Sequence, residues 1–188
     1  MKPEQLVAEK RLETSELPFV LLDYQRKLLE STAAHAVTVS EKSRRIGATW
    51  AIAADAVLTA GAQRTAGGMD VLYIGFNLDM TKEFVDTAAS WAKAFSYAAG
   101  AVDEFLFEDD VEGTGDTRKI RAFRITFASG FEIVALSSRP RSLRGRQGYV
   151  IIDEAAFHDE LEELLKAALA LLIWGGKVLI ISTHNGAD

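Results

Sequence analysis

The chain has 188 residues, of which 48% are hydrophobic, and it carries no cysteine and a formal net charge of −6. This size predicts one globular domain, since two full enzymatic domains would need a longer chain. The absence of cysteine excludes disulfides, thiolate metal sites and a cysteine nucleophile. The acidic balance argues against a surface that coats nucleic acid indiscriminately. The longest apolar stretch, residues 167–174, is too short to span a bilayer, so we expect a soluble protein with no membrane partner.

Two short helices are predicted ahead of the core. Residues 4–12 are charged with a helical pattern, residues 24–32 are amphipathic, and Pro18 separates the two stretches. We therefore interpret residues 1–35 as an amino-terminal helical segment and residues 36–188 as the core.

Strands and helices then alternate along the core. The predicted strands are residues 36–40 and 71–75, and the predicted helices are residues 49–60 and 80–98. Such alternation is typical of a parallel sheet with helices packed on its faces.

The second half of the core combines a hairpin with buried strands. Residues 122–127 and 131–136 alternate with period two around a Ser-Gly turn and predict a β-hairpin. Residues 149–152 and 177–181 are aliphatic runs typical of strands covered on both faces, with a helix predicted between them at residues 160–174.

Loops account for the remaining segments of the core. Turns are predicted at residues 67–68 and 113–115, and the acidic segment 104–116 is interpreted as a solvated loop. The whole pattern predicts an α/β, three-layer domain with a central, mainly parallel sheet.

The segment from Lys42 to Thr49 resembles a phosphate-binding loop with an altered order. The standard loop reads G-x-x-x-x-G-K-[ST], in which lysine meets the phosphates and the hydroxyl binds Mg²⁺. Aligned on Gly47 and Thr49, the chain has Ala48 in the lysine position and Lys42 in the position of the first glycine. A lysine stem from the opposite end of the loop could bring its ammonium to the same phosphates.

A second interpretation of this loop stays open on its residues alone. Lys42, Arg44 and Arg45 could form a solvated basic turn, with Gly47 only closing a strand-to-helix connection.

Two adjacent carboxylates follow the predicted strand at residues 149–152. Asp153 is predicted to hold Mg²⁺, directly or through water, and Glu154 to orient and deprotonate an attacking water. The carboxyl ends of parallel strands are where such groups are required. An acidic cap on the following helix is the alternative, but it does not explain the coincidence with the loop upstream.

Two further motifs flank these signals along the chain. Ser182 and Thr183 end the last predicted strand, and the following His184 is interpreted as a strand-end histidine without a catalytic task. Upstream of the loop, the amide of Gln25 could read adenine, because it offers both a donor and an acceptor, and Tyr24 or Arg26 could stack on the base.

The order of these motifs resembles that of the large terminase subunits of tailed phages, the motors that package viral DNA. The loop Lys42-Ser43-Arg44-Arg45-Ile46-Gly47-Ala48-Thr49 resembles the variant found in Mu-like phages. The resemblance implies a P-loop NTPase domain of the RecA/ASCE type that uses ATP and Mg²⁺.

The resemblance also implies a role for each matching residue. It places Glu154, Lys42, Arg44 and Arg45 in catalysis, and Thr49 and Asp153 on the metal. Nucleotide binding is assigned to Gln25, Lys42, Ser43, Gly47, Ala48 and Thr49. Ser182 and Thr183 would couple hydrolysis to movement.

The family further implies partners that the chain would meet in the cytoplasm of an infected or lysogenic bacterial host. These are double-stranded DNA, a portal protein and a small terminase subunit, with the chain forming a ring homo-oligomer when assembled and a monomer in isolation. Large terminases also carry a nuclease domain, for which we find no strand-rich segment in this sequence.

Four arginines cluster between the predicted hairpin and the Asp-Glu strand: Arg139, Arg141, Arg144 and Arg146. Pro140 and Gly145 predict a shaped loop rather than a helix. In a ring, such a loop could supply an arginine finger to the neighbouring subunit or contact the DNA backbone. An exposed loop that pairs with the protein's own acidic surface is the other interpretation.

Two other functions share part of this pattern. A superfamily 2 helicase-like translocase has the same glutamine, Asp-Glu and Ser-Thr signals, but it needs a second RecA-like domain. A non-hydrolysing nucleotide-binding scaffold would explain Ala48, but it would not explain why Lys42, Thr49, Asp153 and Glu154 occur together.

Overall fold

The computed structural model describes residues 20–99, 106–109 and 123–186. One sheet forms the centre of this part of the chain. Its strands, in chain order, are β1 (Val37–Glu41), β2 (Val71–Ile74), β3 (Leu106–Asp109), β4 (Phe123–Thr126), β5 (Glu132–Leu136), β6 (Tyr149–Ile152) and β7 (Lys177–Ser182). Their order across the sheet is β1-β7-β6-β2-β5-β4-β3.

The sheet is mainly parallel, as predicted. Strands β1, β7, β6, β2 and β5 run parallel to one another. Strand β4 is antiparallel to β5, which confirms the predicted hairpin, and β3 is antiparallel to β4. All five parallel strands therefore present their carboxyl ends at one edge of the sheet.

Four α-helices lie within the described residues: α1 (Asp23–Ala34), α2 (Ala48–Gly61), α3 (Leu78–Ala99) and α4 (Leu161–Ala170). The helix predicted at residues 160–174 is shorter than expected, because its last turn, Leu171–Trp174, is a 3₁₀ helix. Gly175 ends this turn with φ +82°, a conformation that favours glycine.

Two hydrophobic clusters give the domain its three layers. Along β2, Val71 and Tyr73 face the cluster that includes residues of α2 and α3, whereas Leu72 and Ile74 face the cluster that includes residues of α4. Side chains of a strand alternate between the two faces of a sheet, and both faces are covered here. This arrangement confirms the predicted three-layer α/β fold.

One strand lies where a solvated loop was expected. Strand β3 falls inside the acidic segment 104–116 and pairs with β4 from Leu106 opposite Thr126 to Asp109 opposite Phe123. Its backbone hydrogen bonds come from the neighbouring strand, so tertiary pairing outweighs the polar composition.

The helix predicted at residues 4–12 and the turn at 113–115 lie outside the described residues. In the described parts of the chain, every helix is too short or too polar to cross a membrane.

Candidate active site

Three neighbouring strands bring the predicted site residues together. Lys42 follows β1, Thr183 follows β7 and Asp153 follows β6, and these strands are adjacent in the order β1-β7-β6. The backbone N–H of Lys42 donates to the carbonyl of Ser182 at 2.9 Å, which extends the β1–β7 ladder into the loop. Residues far apart in the sequence therefore meet at the carboxyl edge of the sheet.

The side chain of Lys42 contacts both members of the acidic pair. Its Nζ lies 2.5 Å from Glu154 Oε1 and 3.4 Å from Asp153 Oδ1. The Lys42 side chain is only 11% exposed. Charge-assisted hydrogen bonds of this kind are among the stronger ones in proteins, so the lysine is held firmly against the carboxylates.

Asp153 is buried and accepts hydrogen bonds on both carboxylate oxygens. Oδ1 accepts from the backbone N–H of Glu154 at 2.8 Å. Oδ2 accepts from the hydroxyls of Tyr73 at 3.0 Å and Thr49 at 3.4 Å. The carboxylate therefore has a fixed orientation, and its Oδ2 lies next to the hydroxyl of Thr49 in the first turn of α2.

Asp153 and Thr49 together offer the oxygen ligands that Mg²⁺ prefers. Mg²⁺ is usually held by one or two carboxylates together with water and phosphate oxygens, not by a complete protein cage. The described residues contain no cluster of three or more His, Cys, Asp or Glu side chains that could hold a metal by themselves. The donor set therefore fits a magnesium ion whose remaining ligands would be water and the oxygens of a bound phosphate chain.

Glu154 adopts a strained backbone conformation and accepts hydrogen bonds on both carboxylate oxygens. Its φ is +52°, in the left-handed region, which costs a residue with a side chain about 1–2 kcal/mol. Strain of this kind is often found at functional sites. Its Oε2 accepts from the backbone N–H of Thr183 at 3.0 Å and from the Thr183 hydroxyl at 2.9 Å.

These contacts also set the ionisation of Glu154. Partial burial by itself would raise the pKa of the carboxyl, but hydrogen bonds from Lys42 and Thr183 outweigh it, and the pKa is lowered. Glu154 is thus ionised at neutral pH.

The loop between β1 and α2 has the shape of a phosphate-binding turn. Arg45 and Gly47 both have positive φ, at 57° and 70°, and α2 begins directly afterwards at Ala48. A cavity of about 370 Å³ opens beside it, lined by the loop, by Glu154 and by one side of α3. Because the first backbone N–H groups of a helix have no partner within the helix, this turn suits an anion.

Ser43, Arg44 and Arg45 lie on the exposed part of the loop, whereas Ala48 is 6% exposed. The cavity is lined by Lys42, Ser43, Arg45, Gly47, Ala48 and Thr49, together with other residues. In the position where the standard loop has its lysine, the chain thus has a buried methyl group, and the cation that reaches the acidic pair is Lys42.

Gln25 on α1 contacts the phosphate loop with its amide. Its Nε2 donates to the carbonyl of Gly47 at 2.8 Å, and its Oε1 accepts from the backbone N–H of Leu22 at 2.8 Å. The Tyr24 hydroxyl donates to the carbonyl of Ile46. A Cβ added to Gly47 would lie 2.9 Å from the Gln25 amide nitrogen, so a larger residue there would displace it. In this structure the amide supports the loop, and its reading of adenine stays a prediction.

Ser182 and Thr183 have separate contacts. Whereas Thr183 holds the Glu154 carboxylate, Ser182 Oγ accepts from the backbone N–H of Ala156 at 3.0 Å and donates to the Thr183 carbonyl at 2.8 Å. Both residues therefore connect β7 to the turn that carries the acidic pair. His184 is exposed and pairs with Glu41 at 2.7 Å.

The four clustered arginines do not share one environment. A 3₁₀ turn, Pro140–Leu143, follows directly after Arg139, near the carboxyl end of β5. Arg146 instead lies 3.6 Å from Glu132 at the start of β5. Among the described residues, no ion pair is formed by Arg139, Arg141 or Arg144.

Two residues of the site were not predicted from the sequence. Tyr73 is the only non-aliphatic residue of β2, and its hydroxyl reaches Asp153 from the neighbouring strand. His158 is buried, and its Nε2 contacts the Asp153 carbonyl at 2.9 Å. A tyrosine in an otherwise aliphatic buried strand was the available signal, because a buried hydroxyl needs a hydrogen-bond partner.

Comparison of the sequence with known proteins finds close relatives in Mu-type phages, while no protein-family model matches. The chain is 52% identical over 169 residues to the Mu-like prophage FluMu protein gp28 of Haemophilus influenzae. It is 46% identical over 170 residues to the probable terminase, large subunit gp28, of Escherichia phage Mu. Each match covers 90% of this chain but only 32% and 30% of the relative, so the chain spans about a third of their length.

Solved structures with the same fold come from other phages. The large terminase ATPase domain of Thermus phage P74-26 matches with a TM-score of 0.56 at 19% identity, covering 86% of this chain and 65% of that one. The large terminase of bacteriophage HK97 matches with a TM-score of 0.59 at 14% identity, covering 91% of this chain and 34% of that one. At such identities the likeness shows the fold alone. By sequence the chain is similar to about a third of the length of the probable large terminase subunit of phage Mu and of its FluMu prophage relative, and its fold is that of the phage large terminase ATPase domains.

Proposed function

We propose that this chain binds ATP with Mg²⁺, hydrolyses it, and serves as the ATPase domain of a motor that packages double-stranded viral DNA. The observation that carries the proposal is the convergence of Lys42, Thr49, Asp153, Glu154 and Thr183 beside the phosphate-binding turn. Phosphoryl transfer requires this combination of a cation, a metal-holding carboxylate and a water-orienting carboxylate.

The phosphate chain would lie on the turn between β1 and α2. Backbone N–H groups at the start of α2 would hold it, while Lys42, Arg44 and Arg45 would supply positive charge. Thr49 and Asp153 would hold Mg²⁺, which neutralises charge on the β- and γ-phosphates during transfer.

Glu154 would orient the water that attacks the γ-phosphorus and accept its proton. A bond forms between the water oxygen and phosphorus, the bond from phosphorus to the β-phosphate oxygen breaks, and ADP and phosphate leave. The Lys42 ammonium donates a hydrogen bond to Glu154 Oε1 in this structure. Attraction of Lys42 to the phosphates would free that oxygen for the water, so binding of ATP would itself activate the base.

The partners of the motor come into the proposal through the relatives. Phage Mu gp28 is named as a probable large terminase subunit. We infer that the chain works in the cytoplasm of the host bacterium, with double-stranded DNA, a portal protein and a small terminase subunit, and that it forms a ring when assembled.

A direct assay tests the proposed function. We expect the purified chain to release phosphate from ATP in the presence of Mg²⁺, to stop when the metal is chelated, and to turn over faster when double-stranded DNA and portal are added. Binding of ATP without any release of phosphate under all of these conditions would instead indicate a nucleotide-binding scaffold.

Tyr73→Phe is expected to weaken the magnesium site while preserving the fold. Phenylalanine keeps the ring that stacks on Phe84 at 3.7 Å, and it removes only the hydroxyl that donates to Asp153. Loss of such a supporting contact typically costs about 10- to 100-fold in metal affinity or activity. A Mg²⁺ titration of ATP turnover should shift to higher concentrations by about tenfold, with the thermal midpoint of unfolding as a check on folding. An unchanged titration would show that the hydroxyl does not support the metal site.

Alanine substitutions of Arg139, Arg141 and Arg144 are expected to act only in the assembled motor. An arginine that reaches the ATP of a neighbouring subunit contributes to the rate only after assembly, and such residues supply about 10³- to 10⁵-fold in other systems. We expect at least one of the three variants to lower the rate at high protein concentration or on portal by at least about tenfold, with the rate of the dilute chain unchanged.

Arg146→Ala is the matched control for these variants, because Arg146 already pairs with Glu132 within its own subunit. Equal losses in the dilute and assembled states would show that the arginines act within one subunit. No loss in any variant would identify the segment as an exposed loop.

A further inference from the structure

We propose that His158 is a positioning residue that fixes the acidic turn and connects it to the arginine-bearing segment after β5. The proposal rests on the proposed ATPase function. It begins with the peptide unit between Asp153 and Glu154, because the orientation of this unit determines the φ of Glu154. That φ is +52°, a conformation that residues with side chains adopt only when their surroundings impose it.

The His158 ring bonds this peptide unit directly. His158 Nε2 lies 2.9 Å from the carbonyl oxygen of Asp153. A carbonyl oxygen can only accept, so Nε2 must carry the hydrogen and donate it. His158 is 7% exposed, and its ring lies at 84° to the ring of Phe76, with ring centroids 6.2 Å apart. The imidazole therefore holds the carbonyl, and with it the left-handed turn, from a fixed position.

The other nitrogen of the ring reaches the segment after β5. His158 Nδ1 is hydrogen-bonded to Ser138 Oγ, and in the tautomer that carries its hydrogen on Nε2, Nδ1 accepts from the serine hydroxyl. Ser138 directly precedes Arg139. The turn that follows is fixed by a contact of 3.0 Å between Ser137 Oγ and Ser142 Oγ.

A continuous path therefore joins the acidic turn to the arginine segment. It runs from the Asp153 carbonyl through the His158 ring and Ser138 to Arg139, and it uses none of the contacts that hold the Glu154 side chain. A movement of the arginine segment would shift the peptide unit between Asp153 and Glu154, and a change in the conformation of Glu154 would shift the segment by the same route.

Two substitutions at position 158 separate the two contacts of the ring. In glutamine, Nε2 is as many bonds from the backbone as the imidazole Nε2, so His158→Gln keeps a donor for the Asp153 carbonyl. In asparagine, Oδ1 takes the place of the imidazole Nδ1, so His158→Asn keeps only the acceptor for Ser138. The variants are thus a matched pair of uncharged amides that differ in which partner they reach.

We expect His158→Asn to lower kcat for ATP by at least about tenfold, the lower end of the range for supporting contacts at such sites, with KM for ATP within about twofold of the parent. His158→Gln should restore kcat to within about threefold of the parent. Ser138→Ala should lower kcat less than His158→Asn. Equal kcat values for the asparagine and glutamine variants would overturn the proposal, as would a Ser138→Ala loss as large as that of His158→Asn.

Hydrogen exchange provides a readout that does not depend on activity. Peptides covering residues 152–158 should exchange their amides about tenfold faster in His158→Asn than in His158→Gln, because the turn opens locally when its anchor is lost. Should the parent chain bind ATP without hydrolysing it, the proposed function fails, and the exchange difference still decides the role of His158. Equal exchange in the two variants would refute that role whether or not the parent is active.

Discussion

Lys42→Ala is expected to abolish measurable ATP turnover. Its ammonium is the cation nearest to the acidic pair, 2.5 Å from Glu154 and 3.4 Å from Asp153, and the position of the standard loop lysine is occupied by Ala48. Removing one preorganised group that stabilises charge in a transition state costs about 10²- to 10³-fold in rate. Phosphate release in a steady-state assay should therefore fall to the background, and the affinity for ATP should fall as well, because the lysine binds the phosphates in the ground state too.

Lys166→Ala is the matched control for Lys42→Ala. Lys166 is exposed on α4 and pairs with Glu162 and Glu163, each at 2.8 Å. The control removes the same charge from an exposed helix position and should leave turnover unchanged, because surface ion pairs contribute little. A Lys42→Ala protein that hydrolyses ATP as fast as the parent would show that another residue supplies the cation.

The core of the fold could be predicted because its strands are buried on both faces. Strands β6 and β7 are continuous aliphatic runs, and the predicted ranges agree with the structure to within one residue. The polar residues that end such runs must lie at the carboxyl edge of the sheet. Knowing the strands and their direction was therefore sufficient to predict that Asp153 and Thr183 lie near the phosphate loop.

Contacts that depend on strand order could not be predicted in this way. Tyr73 reaches Asp153 only because β2 lies next to β6, and hydrophobic periodicity does not specify the neighbours of a strand. Strand β3 was missed for a related reason, since its acidic sequence is paired only through β4 at the edge of the sheet.

The partners of predicted site residues also needed the structure. The sequence indicated that Gln25 could read a base, because an amide can pair with adenine. In the structure, packing of α1 against α2 brings the amide to the loop carbonyls, and both ends of the amide have protein partners. The sequence likewise placed Lys42 near phosphates, but it did not show that the same ammonium holds the Glu154 carboxylate. Residue type defines which bonds a side chain can make, and tertiary packing determines which it does make.

Glu154→Gln is expected to bind ATP without hydrolysing it. The amide keeps the shape of the side chain and removes the group that accepts the proton from water, and loss of a general base typically costs about 10²- to 10⁴-fold in rate. Phosphate release should therefore fall by at least about 100-fold. Glu160→Gln, an exposed residue at the start of α4, makes the same chemical change six positions away and should leave turnover unchanged.

The contacts of Glu154 also predict the direction of the change in ATP affinity. Both carboxylate oxygens accept hydrogen bonds, Oε1 from Lys42 and Oε2 from the N–H and hydroxyl of Thr183. Glutamine has one acceptor oxygen, and two donors at Thr183 compete for it against one at Lys42. The amide nitrogen would then face the Lys42 ammonium, a donor against a donor, and the lysine would lose its strongest partner in the acidic pair. Lys42 would be freer to bind phosphates, so ATP should bind Glu154→Gln as tightly as the parent or up to about tenfold more tightly, the equivalent of one hydrogen bond to a charged group. Equilibrium titration with a fluorescent ATP analogue measures this affinity, and weaker binding together with lost turnover would mean that Glu154 maintains the shape of the site instead of acting on water.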